Sequence, residues 1–169
     1  MLINDGIPTK EDIARVTPPE ERFVEGPVAI VECFQQIPCD PFVHACKRSA
    51  IIKQRDINDL PVVDAKLCNG CGICISLCPG LAIFVVDLSY SDDHALIKLP
   101  YEYVPVPKVG QLVIGLNRAG EESGLFEVVR VTSGGKKNMT YTVSLAVAKE
   151  LAMEIRDIRV ESGERKEES

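Results

Sequence analysis

Four cysteines in the run Cys68-Asn-Gly-Cys71-Gly-Ile-Cys74-Ile-Ser-Leu-Cys78-Pro79 carry the plainest chemistry in this 169-residue chain. The spacing C-x2-C-x2-C-x3-C-P suits thiolate ligation of a cubane iron–sulfur cluster, because a tight loop turns three closely spaced thiolates toward one centre. Gly70 and Gly72 permit the dihedrals such a loop needs. With no side chains there, backbone N–H groups can approach the cluster sulfides and help set its potential. Pro79 lacks an N–H and biases Cys78 toward extended backbone, which turns the chain away after the last cysteine. Where two clusters are present, that last cysteine serves the other one. Two other chemistries compete. Structural zinc usually takes two cysteine pairs far apart in sequence, whereas these four fall in one short run. A disulfide framework belongs to secreted chains, and a reducing compartment is expected for this one.

A second, degenerate copy of the motif stands upstream. Sliding the segment from Val28 onto the later one pairs Cys39 with Cys71, Phe42 with Cys74, Cys46 with Cys78, Lys47 with Pro79 and Ala50-Ile51 with Ala82-Ile83. The flanks agree as well, Pro27-Val28-Ala29-Ile30 with Pro61-Val62-Val63. Cys33 and Cys39 are separated by five residues instead of two, Phe42 stands at the third ligand position, and Lys47 replaces the proline. Because each motif's last cysteine crosses over, one cluster is assigned Cys68, Cys71, Cys74 and Cys46 as a [4Fe-4S] site. The other is assigned Cys33, Cys39 and Cys78, with a phenyl ring that cannot ligate iron at its fourth corner. Three outcomes are open there: a [3Fe-4S] cluster, a [4Fe-4S] cluster completed by solvent, Asp40 or His44, or no cluster. Buried thiols that merely pack are common, but the repeat favours an occupied site, and [3Fe-4S] is preferred over [4Fe-4S]. His44 is placed on a short helix between Phe42 and Cys46, and His94 in an exposed turn. No base and nucleophile stand together, so no catalytic site of the chain's own is expected.

The elements that must hold these residues follow from patterning. Thr9-Lys-Glu-Asp12 reads as a capping box opening a helix to about Val16, and Thr17-Pro18-Pro19-Glu20 as a second N-cap. Strands are predicted near Val28–Glu32, Ala50–Lys53, Pro61–Asp64, Ala82–Asp87 and Ala95–Leu99. Past Pro105-Val-Pro107, the runs Gln111–Leu116, Leu125–Val131 and Met139–Leu145 are β-rich, with turn chemistry between them. Ala148, Leu151, Ala152, Ile155 and Ile158 recur at helical spacing and predict a helix from about Ala146 to Asp157. The fold class is therefore α+β, a duplicated cysteine-motif domain followed by a small antiparallel β domain with a C-terminal helix. The expected organisation is an N-terminal arm with short helices over 1–26, an iron–sulfur domain over 27–99, a β-rich accessory domain over 100–160 and a disordered tail over 161–169. With a formal net charge of −6 the chain is a poor partner for nucleic acid. No stretch is apolar enough to span a bilayer and the N-terminus lacks the layout of a signal peptide, so a cytoplasmic location is expected.

The duplicated strand, cysteine loop, short helix and strand resembles the bacterial two-cluster ferredoxins. At Gly26-Pro-Val-Ala-Ile-Val-Glu-Cys-Phe-Gln-Gln-Ile-Pro-Cys39 the chain further resembles small ferredoxin-like subunits of multi-subunit, flavin-dependent amino-acid dehydrogenases of the proline, hydroxyproline and opine type. The likeness is strongest from about Gly26 to Pro79 and looser through the β-rich part and Arg156-Asp-Ile-Arg159. In that group the upstream motif continues with a cysteine where this chain has Phe42 and a proline where it has Lys47. The resemblance implies an electron-transfer subunit in a hetero-oligomer with flavoprotein dehydrogenase subunits. Single electrons would pass between a flavin, held only in the partner, and an acceptor. The competing readings are a stand-alone acidic ferredoxin, which leaves the β-rich part without a task, and an enzyme binding substrate at an open cluster corner beside Phe42. An iron–sulfur sensor ranks lowest, since no basic DNA-reading helix is visible.

Overall fold

The two cysteine runs hang from a pair of strands that are buried on both faces. The computed structural model describes residues 2–52 and 55–161. Three short helices, α1 (Leu2–Asp5), α2 (Lys10–Val16) and α3 (Glu20–Phe23), lead into β1 (Val28–Val31). The capping box of α2 forms as the sequence predicts, with Thr9 and Asp12 exchanging backbone and side-chain hydrogen bonds. Thr17 does not cap α3. Its hydroxyl turns back to the carbonyl of Ile13 at 2.7 Å and closes α2, while Pro19 takes the N-cap position of α3 without a side-chain bond.

After β1 come α4 (Pro41–Ala45), β2 (Ile51–Ile52), β3 (Val62–Val63), a 3-10 turn at Ile75–Leu77 and β4 (Ile83–Asp87). β1 pairs antiparallel with β4, placing Val28 opposite Val86, and β2 pairs antiparallel with β3. The strand predicted at Ala50–Lys53 is β2, and its last residue lies outside the described residues. The chain then builds β5 (His94–Tyr101), β6 (Leu112–Leu116), β7 (Glu122–Ser133), β8 (Tyr141–Ala148) and β9 (Asp157–Arg159). One antiparallel sheet runs in the order β1-β4-β5-β8-β7-β6-β9, and it curls enough to bring β9 into contact with β5.

Alternation along β1 and β4 splits the apolar side chains between two cores, because successive side chains of a strand point to opposite faces. Val28, Ile30, Phe84 and Val86 join the main core with Ile97, Leu99, Val143, Leu145 and Ile155. Ala29, Val31, Ile83 and Val85 face the other way, into a smaller core with Phe42, Ile51, Cys74, Ile75 and Cys78. The cysteine loops are thereby packed onto the sheet rather than tethered beside it.

The helix predicted over Ala146–Asp157 is not formed. β8 continues to Ala148, opposite His94 of β5, and is followed by a 3-10 turn at Lys149–Leu151 and then β9. Val143, Leu145 and Val147 are fully buried at strand spacing, so sheet pairing extends through the residues that would have started the helix. Ala152, Ile155 and Ile158 are buried as expected, but a turn suffices to place them. The expected disordered tail falls almost wholly on 162–169, outside the described residues.

Candidate iron–sulfur site

The downstream loop is shaped from within by glycine. Gly70 and Gly72 lie at φ 62 and 86°, the left-handed region that only glycine occupies without cost. A Cβ on Gly70 would sit 2.4 Å from the Cβ of Pro27 and 2.6 Å from its carbonyl carbon, so the loop presses on the chain entering β1. That approach brings the N–H of Ala29 to 3.3 Å from Cys68 Sγ, with the N–H of Gly70 at 3.4 Å from the same sulfur. Past Cys71, which is exposed, the 3-10 turn carries Cys74 and Cys78 inward to 7 and 5 % exposure.

Long cationic side chains hold the loop's carbonyls. Arg22 of α3 donates to the carbonyls of Ala65, Gly26, Pro27 and Cys68. Lys98 Nζ of β5 donates to Gly70 O at 2.8 Å, and Arg48 Nε donates to Leu67 O at 2.5 Å. Neither Arg22 nor Arg48 is discoverable from the sequence, since nothing local marks a partner tens of residues away. Lys98 had a signal, as the one charge in the apolar strand Ala95-Leu-Ile-Lys-Leu99.

Cys46 closes the set. It follows α4, and Ala50 donates its N–H to Cys46 Sγ at 3.3 Å. Cys46, Cys68, Cys71 and Cys74 together line one cavity of about 150 Å³, walled also by the apolar Ala29, Ile51 and Ile73 and by Lys47, Arg48 and Asn69. Burial, and then the neighbouring thiols of Cys71, Cys68 and Cys46, push the Cys74 thiol up to about 12. Burial also acts to raise Cys46, but the backbone N–H groups of Ala50, Arg48, Ile51 and Ser49 prevail and hold it below the ordinary thiol value. Burial likewise pulls Lys98 below its usual range, against the attraction of Cys71.

Four thiols lining one small cavity repel one another when ionised, and the iron of a cluster supplies positive charge between them. The residues therefore fit a [4Fe-4S] group. Among the described residues no three His, Cys, Asp or Glu side chains gather tightly enough to hold a single metal ion, as structural zinc would require with sulfurs about 2.3 Å from one point. None of the seven cysteines is in a disulfide.

The other predicted set lies on the same smaller core as Cys74, outside the cavity that the first set lines. Cys78 and Phe42, at 5 and 2 % exposure, are members of the smaller core, and Cys33 and Cys39 pack against it. Cys33 Sγ lies 3.8 Å from the carbonyl of Gln35 and opens onto a second cavity of about 540 Å³. That cavity is also lined by Glu32, whose carboxylate accepts from Arg118 Nε and Nη2 at 2.8 and 2.7 Å and from Arg156 Nε at 2.7 Å. His44 is exposed and sits 3.3 Å from Asp40 on the same helical turn. His94 is exposed at the start of β5.

No helix among the described residues is long and apolar enough to cross a membrane. No curated protein and no solved structure matches the chain. Residues 61–84 match the 4Fe-4S binding domain family, a span that opens at β3, ends in β4 and contains Cys68, Cys71, Cys74 and Cys78. The chain thus contains a ferredoxin-like 4Fe-4S binding domain, which supports an iron–sulfur electron-transfer role.

Proposed function

We propose that the chain is the electron-relay subunit of a flavin-dependent dehydrogenase acting on an amino acid or related amine. In this reading Cys46, Cys68, Cys71 and Cys74 hold a [4Fe-4S] cluster, and Cys33, Cys39 and Cys78 hold a second one, [3Fe-4S], beside Phe42. The observation that carries it is the presence of Cys46, from the upstream run, in the cavity walled by three cysteines of the downstream run. The pairing of β1 with β4 and of β2 with β3 supports the duplication, because exchanging the two halves maps one pair onto the other.

A bound cluster supplies storage for one electron at a potential set by its surroundings. The chain's residues supply those surroundings. N–H groups of Ala29 and Gly70 aim at Cys68 and that of Ala50 at Cys46, stabilising thiolate character. Buried Ala29 and Ile51 give the cavity an apolar wall, while exposed Cys71 leaves one edge open to a partner. The flavoprotein partner rests on the resemblance around Gly26–Cys39. The continuous sheet from β1 to β9 gives such a partner a stiff surface to dock on.

Anaerobic purification of the native protein, with iron and sulfide analysis and EPR in both redox states, tests the cluster assignment. The expected result is a signal in the reduced protein from the four-iron cluster and one in the oxidised protein from the three-iron cluster. Phe42→Cys should raise the iron content and abolish the oxidised-state signal; no change in either would overturn the second site. Size-exclusion chromatography of a native extract tests the relay. Co-elution with a flavin-containing protein is expected, and elution as a monomeric cluster protein would favour the stand-alone ferredoxin.

A further inference from the structure

A cleft of about 320 Å³ lies between the cysteine loop, at Cys71 and Ser76, and the open face of the sheet. Its floor is a cross-strand row. Lys98 of β5 stands opposite Ser144 of β8, and Ser144 stands opposite Arg130 of β7. One step along the same face, Thr142 stands opposite Thr132. The row exists because of a β-bulge: Val128 pairs with Leu145 but Arg130 pairs with Ser144, so Val129 is the extra residue. Without it Arg130 would fall opposite Val143, on the buried face. Bulges commonly re-aim a side chain beside a functional site.

The cleft is cationic in a chain of net charge −6. Lys98 and Arg130 both line it, and among the described residues no carboxylate does. Lys98 uses one donor on Gly70 O, leaving two of its three. Among the described residues the Arg130 backbone pairs with Ser144, but no hydrogen bond or ion pair engages its guanidinium. Like charges lining one cleft repel, and an anion between them turns that repulsion into attraction.

We propose that this cleft binds the phosphate group of a small molecule, held between Lys98 and Arg130 against the exposed edge of the cysteine loop at Cys71. Two cations match the charge of about −2 on a phosphate monoester at neutral pH. The hydroxyls of Thr132, Thr142 and Ser144 line the same cleft and add three further donors, which suits a group with several acceptor oxygens. A carboxylate is planar and is satisfied by a single arginine fork, so it would leave Lys98 and the hydroxyls idle. The volume exceeds that of phosphate alone and falls at the lower end of the roughly 300–1,000 Å³ typical of small-molecule sites, which favours an ester over the free ion. The inference concerns the walls of the cleft and stands whether or not the partner is a flavoprotein.

Isothermal titration calorimetry on the cluster-loaded protein tests it, with inorganic phosphate and glycerol phosphate as probes and acetate at matched ionic strength as the control. Saturable binding of both phosphates but not of acetate is expected. Arg130→Gln should weaken it at least tenfold, Arg130→Lys should restore most of it, and Arg159→Gln, on β9, should leave it unchanged. In the reduced protein, paramagnetic iron should shorten the phosphorus-31 relaxation of the bound probe. Absence of binding, equal binding by Arg130→Gln or unshortened relaxation would overturn the site. Binding of inorganic phosphate with exclusion of glycerol phosphate would overturn the ester.

Discussion

The two cysteine runs reach the same strand pair by different means. The downstream run bends at two glycines in the left-handed region, and three of its four thiols share one cavity with Cys46. The upstream run has prolines at 38 and 41 where flexibility would be needed. It is fixed instead at its root, where Glu32 accepts from two arginines that come from beyond β6. One loop is shaped by its own backbone, so a sequence motif describes it. The other is positioned by residues 86 and 124 places away, and no local pattern can describe that. A cysteine run can therefore depart from a local pattern while the sheet continues to hold it in place.

The sharpest break in this comparison is removal of a thiol from each run. Cys46→Ala should eliminate the reduced-state EPR signal and the visible absorbance of the four-iron cluster, despite lying outside the matched domain at residues 61–84. Cys39→Ala should leave that signal in place and change only the remaining iron. The reverse outcome would exchange the roles of the two runs.

Next in size is the anchor of the upstream run. Glu32→Gln leaves Arg118 and Arg156, with side chains 10 and 5 % exposed, as buried cations without their carboxylate. Breaking a buried pair by removing one partner costs about 3–5 kcal/mol, so the midpoint of urea unfolding should fall steeply. Adding Arg118→Met should return part of the loss, because removing both members of a pair is milder than orphaning one. If the double variant is the less stable, the arginines act through packing rather than charge.

The downstream run should answer to glycine geometry. Gly70→Ala places a side chain at φ 62°, which alone costs about 1–2 kcal/mol. The new methyl would also collide with Pro27. Relief of that collision should lift the loop from β1 and lengthen the Ala29 N–H to Cys68 sulfur contact. A shift in the cluster's reduction potential, measured by redox titration with EPR, should accompany the loss of stability. An unchanged potential would show that this N–H does not tune the site.

Legibility in the sequence divides along the same line. The strands at 28–31, 62–63 and 83–87, the capping box at Thr9 and the glycine loop were all readable, because each is decided by neighbours within a few residues. The predicted C-terminal helix does not form although Ala148, Ala152 and Ile155 satisfy a helical period, because β8 pairs with β5 as far as Ala148 and a 3-10 turn follows. Arg22, Arg118 and Arg156 were invisible as site residues for the reason given for Glu32, that their partners are remote in sequence. The bulge at Val129 belongs to the same class, since it is a property of two strands and not of one.

Acid should separate the two runs most gently. Burial alone would raise the carboxyl of Glu32, but Arg118 and Arg156 outweigh it and hold the group below its ordinary 4.5. Its folded pKa is thus depressed, so its contribution to stability is complete above the unfolded value and is lost as the pH falls through the folded one. Both arginines stay charged throughout this range and would be left facing a neutral acid. Asp157 works in the opposite sense, since burial raises it above 3.8 and it is relieved of charge as the pH falls. A stability profile should therefore decline below about pH 4.5 in the native sequence and flatten in Glu32→Gln. An undiminished decline in the variant would move the acid sensitivity to other depressed carboxylates, such as Asp12 in the capping box, and away from the root of the upstream run.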